Sequence, residues 1–222
     1  MRSRLVGQRT AVINQIRGFL LEHGITIRQG PAGLRQALPS ILAEPIDELS
    51  PLLLRLLQDL GDEWRQLDGR IEHVSTQIET LAKQDENCKR LMGTPGIGPL
   101  IASAMVAAIG NGAAFIKGRD FAAWLGLVPK QISTGDRTIL GSISRRGNRY
   151  LRTLFVHGAR SVLFRPKSWA KYGFNPWLTN ATQRLHKNVL GVALANKLAR
   201  IAWAVLHRGG CYEPAFAAAA AA

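Results

Sequence analysis

A polar, glycine-punctuated segment at residues 131–144 holds the hydroxyls best suited to attack a phosphate. Its sequence is QISTGDRTILGSIS, with hydroxyls at Ser133, Thr134, Thr138, Ser142 and Ser144. A serine nucleophile needs an accessible hydroxyl, a flexible backbone and cations that stabilise the pentacovalent phosphorus. Ser133 is the candidate catalytic residue, because Gly135, Lys130 and Arg137 are close in sequence, although the same composition is typical of an ordinary loop. The absence of a helical period predicts a loop or a weak β-hairpin.

Arginines follow this segment at helical spacing. On a helix beginning near Ser144, which can cap it, one face would carry Arg145, Arg149, Arg152 and Arg160, flanked by Arg146 and Arg165. Guanidinium groups on one face without acidic partners repel each other, and a phosphate backbone would relieve that repulsion. A solvated surface is the alternative. The pattern predicts a DNA-binding set consisting of Lys130, Arg137, Arg145, Arg146, Arg149, Arg152 and Arg160.

A Pro-Gly-Ile-Gly turn precedes these segments. Gly96, Ile97 and Gly98 are followed by a helix rich in small residues, as in a helix-hairpin-helix. Glycines let the backbone approach a phosphate, and the N–H groups that open the next helix can bind an anion. These three residues are therefore added to the DNA-binding set. The alternative is an ordinary helix–helix turn that needs glycine for close packing.

No metal site is predicted in this chain. Metal-assisted phosphoryl transfer needs clustered carboxylates, and residues 92–212 contain only Asp120 and Asp136. The histidines form no His-x-x-x-His pair, and Cys88 and Cys211 belong to no Cys-x-x-Cys motif. Two cysteines also indicate a reducing compartment, and we expect a cytoplasmic protein.

The charge is concentrated in one half of the chain. The net charge is +14, yet residues 1–116 contain 12 basic and 12 acidic residues, whereas residues 117–222 contain 17 basic and 3 acidic ones. Such an excess indicates a polyanionic partner, most simply DNA, with RNA or the ribosome as a further alternative. The longest apolar runs are interrupted by Gly, Arg or Asn, so no membrane span or membrane partner is expected.

Helical periodicity organises the first 90 residues. Residues 4–23 predict a helix that ends at Gly24, and a connector follows over 29–46. Apolar residues then alternate at spacings of four and three, forming a heptad seam: Leu53, Leu57, Leu60, Trp64, Leu67, Ile71, Val74, Ile78 and Leu81. We expect a long coiled-coil helix over 47–90 that pairs with a second copy of the chain or packs against residues 4–23. A homo-oligomer is the favoured alternative.

The fold class is mainly α, a long coiled-coil helix followed by a basic helical domain. That domain covers 91–210, includes the helix-hairpin-helix-like turn, and ends in a helix over about 178–207 closed by Gly209. Residues 211–222 form a tail that ends in alanines.

Three segments resemble a known family. TPGIGPLIASAMVAAIG, FAAWLGLVPKQISTG and LGSISRRGNRYLRTLFVHGARSVL are similar to the C-terminal transposase domain of the bridge-RNA-guided insertion-sequence transposases, of the DEDD/serine recombinase type. The opening residues 1–28 resemble the final helix of the family's RuvC-like N-terminal domain, and the heptad seam resembles its coiled-coil linker.

The resemblance implies a two-site recombinase. Four acidic residues of the RuvC-like domain would bind divalent metal, Mg²⁺, and a serine would link covalently to DNA. In the family pattern Gln-x-Ser-(Ser/Thr)-Gly that serine is Ser133, with Thr134, Ser142 and Ser144 as alternatives. The chain carries Asp136 where the family usually has a second glycine. The segment with the acids would lie before Met1, so a truncated copy is expected.

The resemblance predicts a transposase that binds DNA, uses a guide RNA, and cuts and rejoins DNA through a serine–phosphate intermediate when intact. Alone, this chain is expected to bind DNA without recombining it. The alternative is a non-enzymatic helix-hairpin-helix DNA-binding protein, which would keep its function with alanine at Ser133.

Overall fold

The computed structural model describes residues 1–43, 49–135 and 137–214. Two compact units divide the chain, Met1–Gln77 and Ile78–Ala222. The described elements are helices apart from one small two-stranded sheet, so the mainly α prediction is confirmed. Asp136, the alanine tail and residues 44–48, where the predicted connector meets the predicted coiled coil, lie outside the described residues.

Three helices build the first unit. They are α1 (Arg2–Glu22), α2 (Pro31–Ala43) and α3 (Pro51–Gln84), the last of which continues into the second unit. Helix α1 ends as predicted, because Gly24 has φ +76° and the Ile25 N–H donates to the Leu20 carbonyl at 2.8 Å.

Helix α2 corrects the prediction of a connector over 29–46. Its 13 residues bury Leu34, Leu38 and Ile41 even though Pro39 lies inside the helix. These apolar residues recur at spacings of four and three, so they share one face and pack into the core of the unit. Burial of that face outweighs the turn-forming composition of the segment.

The heptad seam packs within the chain. Its middle residues Leu57, Trp64, Leu67 and Ile71 are buried in one cluster with apolar residues of α1. This is the alternative in which the helix packs against residues 4–23, so self-association through these four residues has no structural support. The helix is also shorter than predicted, because Asp85 ends it and caps the next one by accepting from the Cys88 N–H at 2.7 Å.

The second unit surrounds one central helix. Its elements are α4 (Glu86–Met92), α5 (Pro99–Ile109), α6 (Gly118–Trp124), β1 (Pro129–Thr134), β2 (Arg137–Ile143), α7 (Arg149–Leu163), a 3₁₀ turn (Pro166–Ser168), α8 (Asn175–Arg184) and α9 (Lys187–Arg208). Helix α9 packs against α4, α6, α7 and α8. Phe121, Phe155 and Phe174 are fully buried in the shared core.

The predicted final helix is in fact two helices. Leu185 and His186 have extended backbone, which separates α8 from α9, and the His186 ring accepts a hydrogen bond from the Asn188 N–H at 3.3 Å. Gly209 closes α9 with φ +67°, as predicted.

The expectation that no apolar stretch could span a membrane is wrong for α9. This helix has the length and hydropathy of a membrane span, but 67% of its apolar window is buried inside the fold. Its role in the core accounts for its composition.

Candidate functional site

The Ser133 segment forms a β-hairpin that projects into solvent, so the hairpin alternative is confirmed. Strands β1 and β2 pair antiparallel, with Ile132 opposite Ile139, Ser133 opposite Thr138 and Thr134 opposite Arg137. Every residue of the two strands is exposed except Ile143, which is half-buried. The Ser133 hydroxyl is therefore accessible, as a nucleophile requires.

The hairpin has two chemically different faces, because side chains alternate along a strand and opposite residues share a face. One face carries Ser133, whose Oγ accepts a hydrogen bond from Gln131 Nε2 at 2.8 Å, together with Thr138. The opposite face carries Ile132, Ile139, Thr134 and Arg137. The alternation thus separates Arg137 from the Ser133 hydroxyl, although the two are close in sequence. The remaining nearby cation, Lys130, lies at the irregularity between Pro129 and Gln131.

The root of the hairpin is locked to the end of α6. The Ser144 N–H donates to the Val128 carbonyl at 2.8 Å, and the Arg145 N–H donates to the Gly126 carbonyl at 3.2 Å. A Cβ on Gly147 would collide with the Trp124 carbonyl oxygen, so glycine is required for the close approach of the two chain segments. We call residues 144–148 the root loop.

The root loop corrects the predicted start of the arginine helix. Helix α7 begins at Arg149, and its cap is Asn148, whose Oδ1 accepts from the Leu151 N–H at 3.0 Å. Ser144 is not the cap, because Arg145 has φ +57° and Gly147 φ +81°, conformations that a right-handed helix excludes. Arg145 therefore lies on the root loop and not on the face of α7.

The arginines of the predicted set take different roles. Arg149 and Arg160 are exposed on α7, 11 residues apart and therefore about 20° apart around the helix and about 16 Å along it. The Arg160 guanidinium reaches Asn188 Oδ1 at 3.5 Å. Arg152 instead donates from Nη1 to the carbonyls of Leu125 at 2.9 Å and Arg146 at 3.2 Å, so it holds the root loop against α6.

Five exposed cations lie on the hairpin and its root. They are Lys130, Arg137, Arg145, Arg146 and Arg149, and none has an acidic partner in the part of the chain that the structure describes. Like charges at this density raise the local positive potential and attract anions from solution.

The Pro-Gly-Ile-Gly turn joins α4 to α5 and packs against α7. Gly96 has φ +77°, and a Cβ there would lie 2.7 Å from the Gly158 carbonyl oxygen. Ile97 is buried in the core. Close packing, the alternative weighed for this turn, therefore accounts for Gly96 and Ile97. Gly98 precedes α5 with extended backbone, and nothing lies within 4 Å of a Cβ built on it.

Comparison with known proteins identifies the segment that carries these features. Residues 88–173 match the domain described as Transposase IS116/IS110/IS902 family. This range includes the Pro-Gly-Ile-Gly turn, the hairpin, the root loop and α7. Residues 88–173 are therefore similar to a transposase domain of this family.

Almost the whole chain is similar to several insertion-sequence proteins. A probable family 20 transposase of Pseudomonas aeruginosa is 46% identical over 217 residues, covering 96% of this chain and 63% of the relative. The transposase for insertion sequence element IS1111A of Coxiella burnetii is 40% identical, with coverages of 96% and 58%. The transposase for IS1328 of Yersinia enterocolitica is 39% identical, with coverages of 96% and 63%. The chain thus spans about six tenths of the length of these relatives.

Neither a metal cluster nor a reactive thiol accompanies the hairpin in the described part of residues 88–173. Residues 1–43, 49–135 and 137–214 contain no group of three or more His, Cys, Asp or Glu side chains that could hold a metal ion. Cys88, the first residue of that segment, is buried, and burial together with Asp85 raises the pKa of its thiol to about 12. That thiol stays protonated near neutral pH.

The structure adds residues that the sequence pattern did not single out. Trp124, the last residue of α6, and Tyr150, near the start of α7, are exposed aromatic side chains. Asn196 of α9 donates from Nδ2 to the Leu127 carbonyl at 3.1 Å. This hydrogen bond holds the segment that leads into β1 against α9. Of these three residues only Tyr150 had a sequence signal, because it follows Arg149 directly.

Proposed function

We propose that the chain is part of an insertion-sequence transposase and that its transposase domain binds duplex DNA through the hairpin and the root loop. The observation that carries this proposal is the set of five exposed cations without described acidic partners, located in the segment that matches the family. Arginine and lysine side chains bind phosphate oxygens and position a protein on DNA without reading sequence.

Ser133 is the proposed nucleophile of the assembled transposase. Its Oγ would attack a backbone phosphorus, and the bond between that phosphorus and a deoxyribose oxygen would break. The released sugar oxygen takes up a proton, while the serine proton passes to solvent. The hydroxyl of a second strand end would then attack the same phosphorus and break its bond to serine Oγ, which rejoins the DNA. The attacking hydroxyl loses a proton and the serine oxygen takes one up, so the serine hydroxyl is restored. The exposure of Ser133 supports this role.

Other components of the reaction are proposed from the resemblance. Acidic residues that bind Mg²⁺ and a guide RNA would act outside the residues of this chain, and self-association would bring two strand ends together. The protein would act in the cytoplasm. Since the chain supplies no described carboxylate cluster, we expect the 222 residues alone to bind DNA and not to join it.

Competition between nucleic acids tests the binding proposal. Labelled duplex DNA bound to the 222-residue chain is challenged with unlabelled duplex DNA or structured RNA at one fixed salt concentration, because affinity depends steeply on salt. Duplex DNA should be the stronger competitor at equal nucleotide concentration. Stronger competition by the RNA would favour an RNA-binding protein instead.

The role of Ser133 is tested in the complete recombination mixture, with guide RNA and Mg²⁺. A covalent protein–DNA band in a denaturing gel should disappear with Ser133→Ala and persist with Ser142→Ala, whose hydroxyl also lies exposed on the hairpin. Full recombination by Ser133→Ala would contradict the proposed nucleophile and leave Thr134, Ser142 and Ser144 as candidates. The absence of a covalent band in the wild-type mixture, with DNA binding retained, would favour a non-enzymatic helix-hairpin-helix binding protein, an alternative supported by the α4–turn–α5 arrangement.

A further inference from the structure

We propose that the hairpin is a DNA-deforming arm whose Ile132–Ile139 face inserts into the groove and partly unstacks the bases. This inference rests on the proposed DNA binding and adds what the arm does to the shape of the DNA. Aliphatic side chains wedged between base steps kink duplexes in other proteins, and the kink lets more protein surface contact the DNA.

Ile132 and Ile139 belong to neither hydrophobic core cluster of the described residues. Ile132 is 61% exposed and Ile139 is 42% exposed, and the two are directly opposite each other in the pairing register. A two-stranded hairpin without a covering layer is only marginally stable in water. Exposed aliphatic residues grouped on one face indicate an interaction surface.

The arm is fixed firmly enough at its root to push against a ligand. Hydrogen bonds from the Ser144 and Arg145 N–H groups continue the strand pairing to the Val128 and Gly126 carbonyls. The adjoining Leu125 and Leu127 are buried in the core. Force on the tip is therefore transmitted to α6 and the core, and the arm does not simply fold back.

Two ligands could cover the apolar face, DNA or a second copy of this chain, and the positive charges around that face favour DNA. Arg137 shares that face through its pairing with Thr134, and Lys130 and Arg145 flank the arm. Docking of two such arms would bring like charges together in a partly dry interface, which is unfavourable. A polyanion would neutralise the same cations, so DNA is the ligand that suits both the charge and the apolar pair.

The two faces of the arm allow the wedge to be tested apart from the proposed nucleophile. Leu140 is 63% exposed and lies opposite Gln131, on the face that carries Ser133. It is therefore a matched control, an aliphatic side chain on the same strand as Ile139 but on the other face. Threonine is the replacement in each case because it keeps the strand propensity while removing apolar surface.

Plasmid topology reports unstacking without knowledge of the target sequence. A circular plasmid is relaxed with a type I topoisomerase in the presence of the 222-residue chain, and the topoisomers are separated after the protein is removed. Wedging unwinds the duplex, so wild-type protein should shift the distribution. The shift should be lost with the double variant Ile132→Thr, Ile139→Thr and kept with the control variant Leu140→Thr.

Binding measured in parallel separates the two proposals. The double variant should bind duplex DNA with a Kd raised by less than about tenfold, because the phosphate contacts are intact. If the wild-type protein binds duplex DNA without shifting the topoisomer distribution, the proposed insertion of the apolar face is overturned and the proposed DNA binding is not. If the wild-type protein does not bind duplex DNA, both proposals are overturned. If the double variant keeps the shift but changes the sedimentation of the chain, the apolar face is a protein interface and the wedge is overturned.

Discussion

Gly96 and Gly158 lie backbone against backbone where the Pro-Gly-Ile-Gly turn crosses α7. A Cβ built on either glycine would collide with the carbonyl oxygen of the other. The crossing joins the helical hairpin of α4 and α5 to the helix that carries Arg149 and Arg160. The turn thereby fixes the position of the arginine helix, whether or not its own N–H groups contact a phosphate.

Replacement of Gly158 by alanine should destabilise the second unit. The added methyl group would meet the Gly96 carbonyl and come within 2.9 Å of Ile101 Cδ1, and overpacking of this kind costs about 1–3 kcal/mol. Urea unfolding followed by circular dichroism measures the loss. Gly191→Ala is the matched control, because its Cβ meets side-chain atoms only at 3.8 Å and 3.9 Å. That control should be neutral or stabilising by up to about 1 kcal/mol, and equal losses in both variants would contradict the crossing.

Alanine variants of Arg152 and Arg149 should have different effects, the first on stability and the second on DNA binding. Arg152→Ala removes two hydrogen bonds from a guanidinium to carbonyl oxygens, and we expect the free energy of unfolding to fall by about 2–3 kcal/mol. Arg149→Ala, at an exposed position, should change stability by less than about 0.5 kcal/mol while weakening DNA binding. Urea unfolding and gel-shift titrations of both variants provide the data. An unfolding free energy unaffected by Arg152→Ala would show that its guanidinium does not hold the root loop.

Arg145 keeps a left-handed backbone that glycine would adopt more easily. The conformation costs a non-glycine residue about 1–2 kcal/mol, partly offset by the greater chain entropy that glycine loses on folding. Arg145→Gly should therefore leave the unfolding free energy unchanged or slightly higher, yet weaken duplex binding as Arg145→Ala does. If Arg145→Gly binds DNA as tightly as wild type, the strained arginine is not retained for DNA contact.

Lys197 is expected to make stability depend on pH. It is only 7% exposed, with Nζ 5.0 Å from the Trp177 ring centre and 5.9 Å from that of Phe174. Burial, followed by repulsion from Arg200, lowers the pKa of its ammonium group below the ordinary 10.5. Between the folded pKa and 10.5 the unfolded chain binds more protons, so stability should rise with pH across that window.

Lys197→Met should remove this rise and, because methionine needs no desolvation of a charge, raise the unfolding free energy at pH 7 by about 1 kcal/mol. Thermal unfolding at a series of pH values is the measurement. Lys187→Met, at an exposed position on the same helix, is the control and should keep the wild-type pH profile. If the stability of Lys197→Met still rises with pH as in the wild type, another group is responsible for the pH dependence.

The sequence predicted those features of the fold that depend on residues close together in the chain. It did not predict which elements pack against each other. The helix ending at Gly24, the hairpin at Ser133 and the helix closed by Gly209 all follow from short-range signals. The packing partner of the heptad seam does not follow from such signals. Leu57, Trp64 and Ile71 have the same spacing whether α3 packs against α1 or against a second copy of the chain.

The arginine face was mispredicted for a different reason. A uniform 100° per residue places Arg145 with Arg149, but the chain turns through left-handed conformations at Arg145 and Gly147 before α7 begins. Those conformations are set by the close approach of the root loop to Trp124, a contact between residues more than 20 positions apart. The structural role of Arg152 arises from the same contact and has no sequence signature.

The salt dependence of duplex DNA binding tests the central proposal most directly. The logarithm of the affinity falls with the logarithm of salt concentration in proportion to the phosphates that a protein neutralises. Arg145, Arg146 and Arg149 are replaced together by Gln, and a control variant removes equal charge from exposed positions of the first unit, Arg4, Arg55 and Arg70. We predict that the slope falls by about 3 in the first variant and stays at the wild-type value in the control. Equal slopes in the two variants would contradict DNA binding through the root loop.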